Sequence, residues 1–318
     1  MGPSPTPHLT VASCFKYSVY STTVCSDVRL PLEDLVDDSG SNEIFLSRTE
    51  RENPPATSYW MEIINSQGRR VHLRSRDAFD SPSASNLWLL SVENVATFWW
   101  RSGQRRIEYL ASESISLGYW LLHLVIPLFK RLEEQVLMMH SAGVEIQHKG
   151  VLISAASFGG KSTLAHALLN DGHKFMADDK LGLFVENGTL MCTSSYPYCR
   201  DYRATEDLGN PVTEHQPASM EVGGIYILTR GAPEATIKIQ SLKGYEAFSL
   251  LQVNRDIPLS FLRQREFRRL SSITRLARVF RLEMPWSLER SIVVACAIAD
   301  HQTSLKRLVG PRNGHQTD

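Results

Sequence analysis

Residues 151–170, Val-Leu-Ile-Ser-Ala-Ala-Ser-Phe-Gly-Gly-Lys-Ser-Thr-Leu-Ala-His-Ala-Leu-Leu-Asn, constrain this chain more than any other stretch. A short apolar strand, 151–154, breaks at a glycine-containing loop. Residues 162–170 then set Leu164, Ala167 and Leu168 at helical spacing, with Gly172 placed to stop the helix. A strand that passes through such a loop into a helix N-terminus turns several backbone N–H groups onto one point, where the helix dipole also favours negative charge. The spacing predicts a nucleotide phosphate site made by Ala155, Ala156, Ser157, Phe158, Gly159, Gly160, Lys161, Ser162 and Thr163. In it Lys161 reaches the β- and γ-phosphates of ATP and the Ser162 hydroxyl ligates Mg²⁺. The match to G-x-x-x-x-G-K-[ST] lacks its first glycine, where Ala155 stands. Alanine must avoid the positive-φ conformations that glycine permits, so either the turn does not need them or the loop is altered. The competing reading is an ordinary glycine-rich turn ahead of an amphipathic helix.

Phosphoryl transfer asks for a carboxylate on the metal and, when the acceptor is a hydroxyl, for a group that takes its proton. Asp178 and Asp179 end a short apolar run, 174–177, soon after the loop helix. Adjacent carboxylates repel, so a nearby cation can hold one ionised while the other rises toward proton exchange. In isolation the pair would read as an exposed acidic turn; behind the loop it reads as catalytic. His140 precedes the strands that deliver the loop and can hydrogen-bond an aspartate or the transferred phosphate. It is one of ten histidines, and spacing alone excludes none of the others.

The rest of the chain gives the frame. With 318 residues and 42% apolar content, two domains are expected. The first hundred residues are β-rich: a run at 17–30, and hairpins pairing 59–64 with 71–76 and 95–100 with 105–110, with loops at 37–42 and 80–85. Trp60, Trp99 and Trp100 are expected in the core of that region. Residues 115–132 are strongly apolar but contain Gly118, His123, Pro127 and Lys130, so a buried helix is expected rather than a bilayer span. Beyond the acidic pair come a hairpin joining 181–185 to 189–192, a polar loop region at 196–217, strands at 224–229 and 235–239, and helices at 244–251, 258–276 and 287–300. The expected class is α/β of the α+β kind, divided as 1–134 (β-rich, with a closing helix), 135–309 (catalytic) and 310–318 (a disordered end).

Thirty-four basic residues balance thirty-four acidic ones, so no global field draws the chain to nucleic acid or an anionic membrane. Five scattered cysteines form no metal pattern, and the first residues carry no secretory signal, so a cytoplasmic setting is expected. Arg263, Arg265, Arg268, Arg269, Arg275, Arg278 and Arg281 form a basic stretch broken by Glu266, read as a solvated face ahead of a dock for acidic peptide or nucleic acid. Arg200 and Arg203, in the loop after the acidic pair, can neutralise charge on a transferring phosphoryl group. They stay outside the catalytic set, because loop arginines are common.

Taken in order, Met139-His140-Ser141-Ala142-Gly143-Val144, then Val151-Leu152-Ile153-Ser154 with the loop, then Gly172-His173-Lys174-Phe175-Met176-Ala177-Asp178-Asp179, resemble the catalytic core of HPr serine kinase/phosphorylase and its relatives. The resemblance covers about 135–183 and continues more weakly through 221–228. It implies a fold related to phosphoenolpyruvate carboxykinase, with a P-loop serving a β-rich core. It also implies Asp178 as general base supported by His140, Asp179 beside Ser162 on Mg²⁺, and Glu221 as a further metal ligand. Gly223 stands where the second motif usually has an arginine, which counts against the phosphorylase half of the activity. The segment 17–32 is similar to smaller HPr kinase-like proteins of peptide-modification clusters, including kinases of lasso-peptide precursors. The implied function is ATP-dependent phosphorylation of a serine in a peptide or small protein. A non-catalytic nucleotide-binding scaffold and a small-molecule kinase are the alternatives, and a homo-oligomer is open.

Overall fold

Short runs of β-branched and aromatic residues separated by turn residues set the first part of the chain as strands. In the computed structural model the described residues are 14–35, 43–66, 69–111, 116–200 and 206–308. They fall into two units that divide at Gly118, with Val19–Ser21 grouped with the second. The expected loop at 37–42, Arg203 and the end at 310–318 lie outside the described residues.

The first unit is one eight-stranded sheet in the order β1-β2-β3-β8-β7-β6-β5-β4. Its strands are β1 (Phe15–Val19), β2 (Thr22–Ser26), β3 (Glu43–Arg48), β4 (Tyr59–Ser66), β5 (Arg69–Ser75), β6 (Leu87–Val92), β7 (Ala96–Arg101) and β8 (Arg106–Ala111). Both expected hairpins form, β4 with β5 and β7 with β8. Trp99 and Trp100 are buried as expected, and the Trp99 Nε1–H donates to Glu108 Oε2 at 2.8 Å. Trp60 is not core: it is 67% exposed, on the edge strand β4, and meets the His72 ring edge-on with centroids 5.4 Å apart.

The division falls within a continuous helical segment made of α1 (Leu117–Trp120), a π turn (Leu121–Val125) and α2 (Ile126–Glu133). The π turn lies directly ahead of Pro127, whose ring nitrogen has no proton to continue an α-helical ladder. The segment is buried as expected, and among the described residues no helix is long and apolar enough to cross a membrane. Residues 119–134 cluster with the later part of the chain, so the division precedes the boundary expected after residue 134.

The remaining elements are β9 (Leu137–Ile146), β10 (Lys149–Ser154), α3 (Lys161–Asn170), β11 (Lys174–Ala177), β12 (Lys180–Glu186), β13 (Thr189–Cys192), β14 (Tyr198–Cys199), β15 (Asn210–Pro211), β16 (Met220–Gly231), β17 (Lys238–Leu242), α4 (Gly244–Val253), α5 (Arg263–Leu276), β18 (Val279–Pro285) and α6 (Ser291–Leu308). The sheet runs β10-β9-β12-β13-β16-β18-β17, with β11 on β9. Because β10 also pairs in parallel with β16, the strands β10, β9, β12, β13 and β16 close into a ring.

Alternation along these strands sends side chains to two cores. Val151 and Ile153 of β10, Tyr226 of β16 and Leu282 of β18 pack under α3 and α6, with Leu164, Leu168, Val294 and Ile298. Leu152, Ile225, Ile227 and Val279 face the other way and pack under α4 and α5, with Leu251, Leu270 and Ile273. The chain is therefore a mixed α+β protein built on large sheets. The basic stretch is split by helical periodicity along α5, where Glu266, Leu270 and Ile273 are buried. Arg265 turns inward to the carbonyls of Arg131 and Leu132, and Glu266 is buried between Arg131 and Arg255, while Arg263, Arg268 and Arg275 remain exposed.

Candidate active site

The expected loop joins β10 to α3. Gly160 caps α3 with φ 90°, a left-handed conformation that glycine adopts without steric cost. Gly159 is required by space: a Cβ there would stand 2.5 Å from the Ala155 Cβ and 2.7 Å from the Ala156 carbonyl oxygen. Ala155 is buried and has no positive φ, so the missing first glycine does not distort the turn. The strain sits at Phe158, between the two. It has φ 59° with a 74% exposed side chain, and such a conformation in a bulky residue costs on the order of 1–3 kcal/mol. The Arg230 guanidinium holds it by donating to the Phe158 carbonyl, and itself lies 3.7 Å from the centre of the Trp286 ring.

Lys161 opens α3 and is buried. Its Nζ lies 3.2 Å from Nε2 of His140, and Nδ1 of His140 lies 3.1 Å from Oδ1 of Asp179. An ammonium only donates, so Nε2 accepts and the imidazole proton resides on Nδ1, directed at Asp179. The backbone fixes this ring: His140 sits opposite Lys180 in the β9–β12 ladder and donates its N–H to the Asn254 carbonyl at 2.8 Å. The Ser141 N–H reaches the Asp179 carbonyl at 3.2 Å, which ties the acidic pair to β9.

The two aspartates have different surroundings. Asp179 has both oxygens engaged, Oδ1 by His140 and Oδ2 by Arg200 Nη2 at 3.1 Å. Burial works to raise its carboxyl, but the His140 hydrogen bond, with the Arg200 charge, outweighs it and holds the group well below the usual carboxylate range. Asp178 accepts the Arg200 backbone N–H on Oδ2 at 3.0 Å, while its buried Oδ1 has no hydrogen-bond partner. His123 lies behind the pair, stacked on Tyr119 with centroids 4.9 Å apart and Nδ1 3.2 Å from the Tyr196 hydroxyl. Burial, with the Lys180 charge, pushes its imidazole down to about 3, so it is neutral at pH 7.

Phe158, Lys161, Ser162, Asp178, Asp179 and Arg200 share the walls of a cavity of ≈ 370 Å³. Arg200 belongs to this group although the sequence placed it outside the catalytic set. Burial acts against its charge, and Asp179 more than offsets that, so its pKa lies above the ordinary value.

Glu221 is not brought to the cavity. It pairs with Lys149 at 2.8 Å at the start of β10, and the register sets Gly150 opposite Val222. The loop leaves the other end of that strand, roughly 16 Å away at about 3.3 Å per residue. Among the described residues no group of three or more His, Cys, Asp or Glu side chains is set to hold a metal. Ser162, Thr163 and Asp178 bring side-chain oxygens to the cavity lining besides the engaged Asp179.

No protein-family model and no curated protein matches the chain. Among solved structures it is similar to the Hpr(Ser) kinase/phosphatase from Coxiella burnetii, with a TM-score of 0.34 and 16% identity over 53% of this chain and 98% of that one. A likeness of that size leaves the site to be judged on its own geometry.

Proposed function

We propose that this chain transfers the γ-phosphoryl group of ATP to a serine hydroxyl of a peptide or small protein. One observation carries the reading: Lys161 at the head of the loop helix is joined through His140 to Asp179, and the cavity beside them is lined by Asp178, whose Oδ1 is buried without a hydrogen-bond partner. Leaving a buried polar atom unpaired costs about 1–3 kcal/mol, which stability alone does not reward.

In this reading the N–H groups of the loop and Lys161 bind the β- and γ-phosphates. Mg²⁺ fits the donors present, since it takes one or two protein oxygens and completes its shell with phosphate and water. Ser162 and Asp178 would hold it, and it would offset the charge on the transferring group. His140, oriented by Asp179, accepts the proton of the serine hydroxyl at Nε2 once Lys161 turns to the phosphates. The serine oxygen forms the new bond to phosphorus, the bond to the β-phosphate oxygen breaks, and ADP leaves. Asp179, held ionised, stays an anion behind the base, and Arg200 adds positive charge at the transferring group.

These roles differ from those that the resemblance implied: the metal passes from Asp179 to Asp178, and the base from Asp178 to His140, with Asp179 behind it. The peptide serine acceptor rests on the resemblance of 135–183 and of the segment near the N-terminus. The test is incubation of the full chain with Mg²⁺ and γ-labelled ATP and a panel of serine peptides, followed by mass spectrometry. Label on serine that disappears in Lys161→Met and Asp178→Asn is the expected result. Tight ATP binding with no transfer to any acceptor would leave a non-catalytic nucleotide-binding protein.

A further inference from the structure

A second pocket, of ≈ 190 Å³, lies against the phosphate loop and shares Gly160, Thr163 and Trp286 with the loop cavity. We propose that it takes the base of a purine nucleotide whose phosphates lie on residues 155–163, an inference that rests on the phosphate reading above.

The lining fits a neutral, flat, heteroaromatic group. Leu164 and Met284 are buried at its floor, and Trp286 and Leu288 are 42% and 76% exposed at its rim. No charged side chain lines it, which suits a base and offers nothing to a further phosphate. Ser291 Oγ donates to the Leu288 carbonyl at 2.7 Å, leaving its lone pairs to accept from an exocyclic amine.

The indole is also fixed in place before any ligand arrives. Arg230 covers it at 3.7 Å and is itself tied to the Phe158 carbonyl. An edge of the ring also lies against the loop, since a Cβ on Gly160 would stand 3.3 Å from Trp286 Cζ3. A held aromatic surface loses little freedom when a ring stacks on it, and the wider purine covers more of it than a pyrimidine does. Trp286, Arg230 and Phe158 thus link the base pocket to the strained turn of the phosphate loop.

The test is calorimetry on the full chain with Mg²⁺ and, separately, ATP, CTP and inorganic tripolyphosphate. ATP is expected to bind more tightly than CTP or tripolyphosphate. Trp286→Ala should lose about five- to tenfold in ATP affinity with tripolyphosphate unchanged. Leu288→Ser, at a position 76% exposed, should weaken ATP in the same selective way. Tripolyphosphate binding as tightly as ATP, or both variants weakening the two ligands equally, overturns the base pocket and leaves the phosphate site standing. Absence of binding by all three removes both.

Discussion

Nδ1 of His140 stands 3.1 Å from Oδ1 of Asp179, which fixes the imidazole proton on the side away from Lys161. An amide at 179 offers an N–H as readily as an oxygen, so Asp179→Asn should turn the ring toward the other tautomer. The expected result is a fall in turnover of about 10²–10⁴-fold with ATP affinity nearly unchanged. Steady-state kinetics beside calorimetry checks it; equal losses in both would place Asp179 in nucleotide binding instead.

Acid should destabilise the fold through His123. Its folded pKa of about 3 lies below the ordinary 6.5, so the unfolded chain takes the proton first. The neutral ring is therefore at no disadvantage above pH 6.5, and stability falls as pH drops from 6.5 toward 3. By pH 5 the loss from this group is about 2 kcal/mol. His123→Gln, which removes the titration, should show a shallower decline in denaturant midpoint over that range.

Loop substitutions should separate the two glycine roles. Ala155→Gly, at a position without positive φ, is expected to leave ATP affinity within about threefold. Gly159→Ala forces a Cβ to 2.7 Å from the Ala156 carbonyl oxygen and should abolish binding while the melting temperature changes by a few degrees. Calorimetry with Mg-ATP on both variants decides it.

Glu221→Gln should leave phosphorylation and its Mg²⁺ dependence unaltered, because the residue pairs with Lys149 at the far end of β10. A rightward shift of the Mg²⁺ titration in that variant would place Glu221 on the metal after all.

The parts of the fold that local pattern dictates were legible in the sequence. The loop strand and helix, the hairpins and the buried helical segment after residue 116 follow from spacing and turn chemistry, while the expected His140, Lys161 and Asp179 stand within hydrogen-bond reach of one another in the fold. What escaped depends on how distant strands register. Glu221 adjoins a glycine-containing strand in sequence, but the parallel pairing of β10 with β16 sends it to the opposite end of the strand from the loop. Arg200 looked like one loop arginine among several, and only the folded path of 193–200 returns its side chain to Asp179. Trp60 has the composition of a core residue, yet an edge strand has a rim on which aromatic side chains remain in water. The two aspartates differ in which of their oxygens are engaged, and adjacent residues of one type carry no such information.

The ring closed by β10, β9, β12, β13 and β16 behaves as a hoop under load. His140 is carried on β9, Asp179 precedes β12 and Lys161 follows β10, so the three linked groups, two of which line the cavity, are mounted on one closed circuit of hydrogen bonds. Pulling any one strand tensions its neighbours on both sides, and none can slide without breaking rungs around the circumference. The amides of that circuit should therefore be among the last in the second unit to exchange with solvent. In the proposed reaction, compliance for admitting an acceptor and discharging ADP comes from attachments outside the hoop, such as the Arg200 segment.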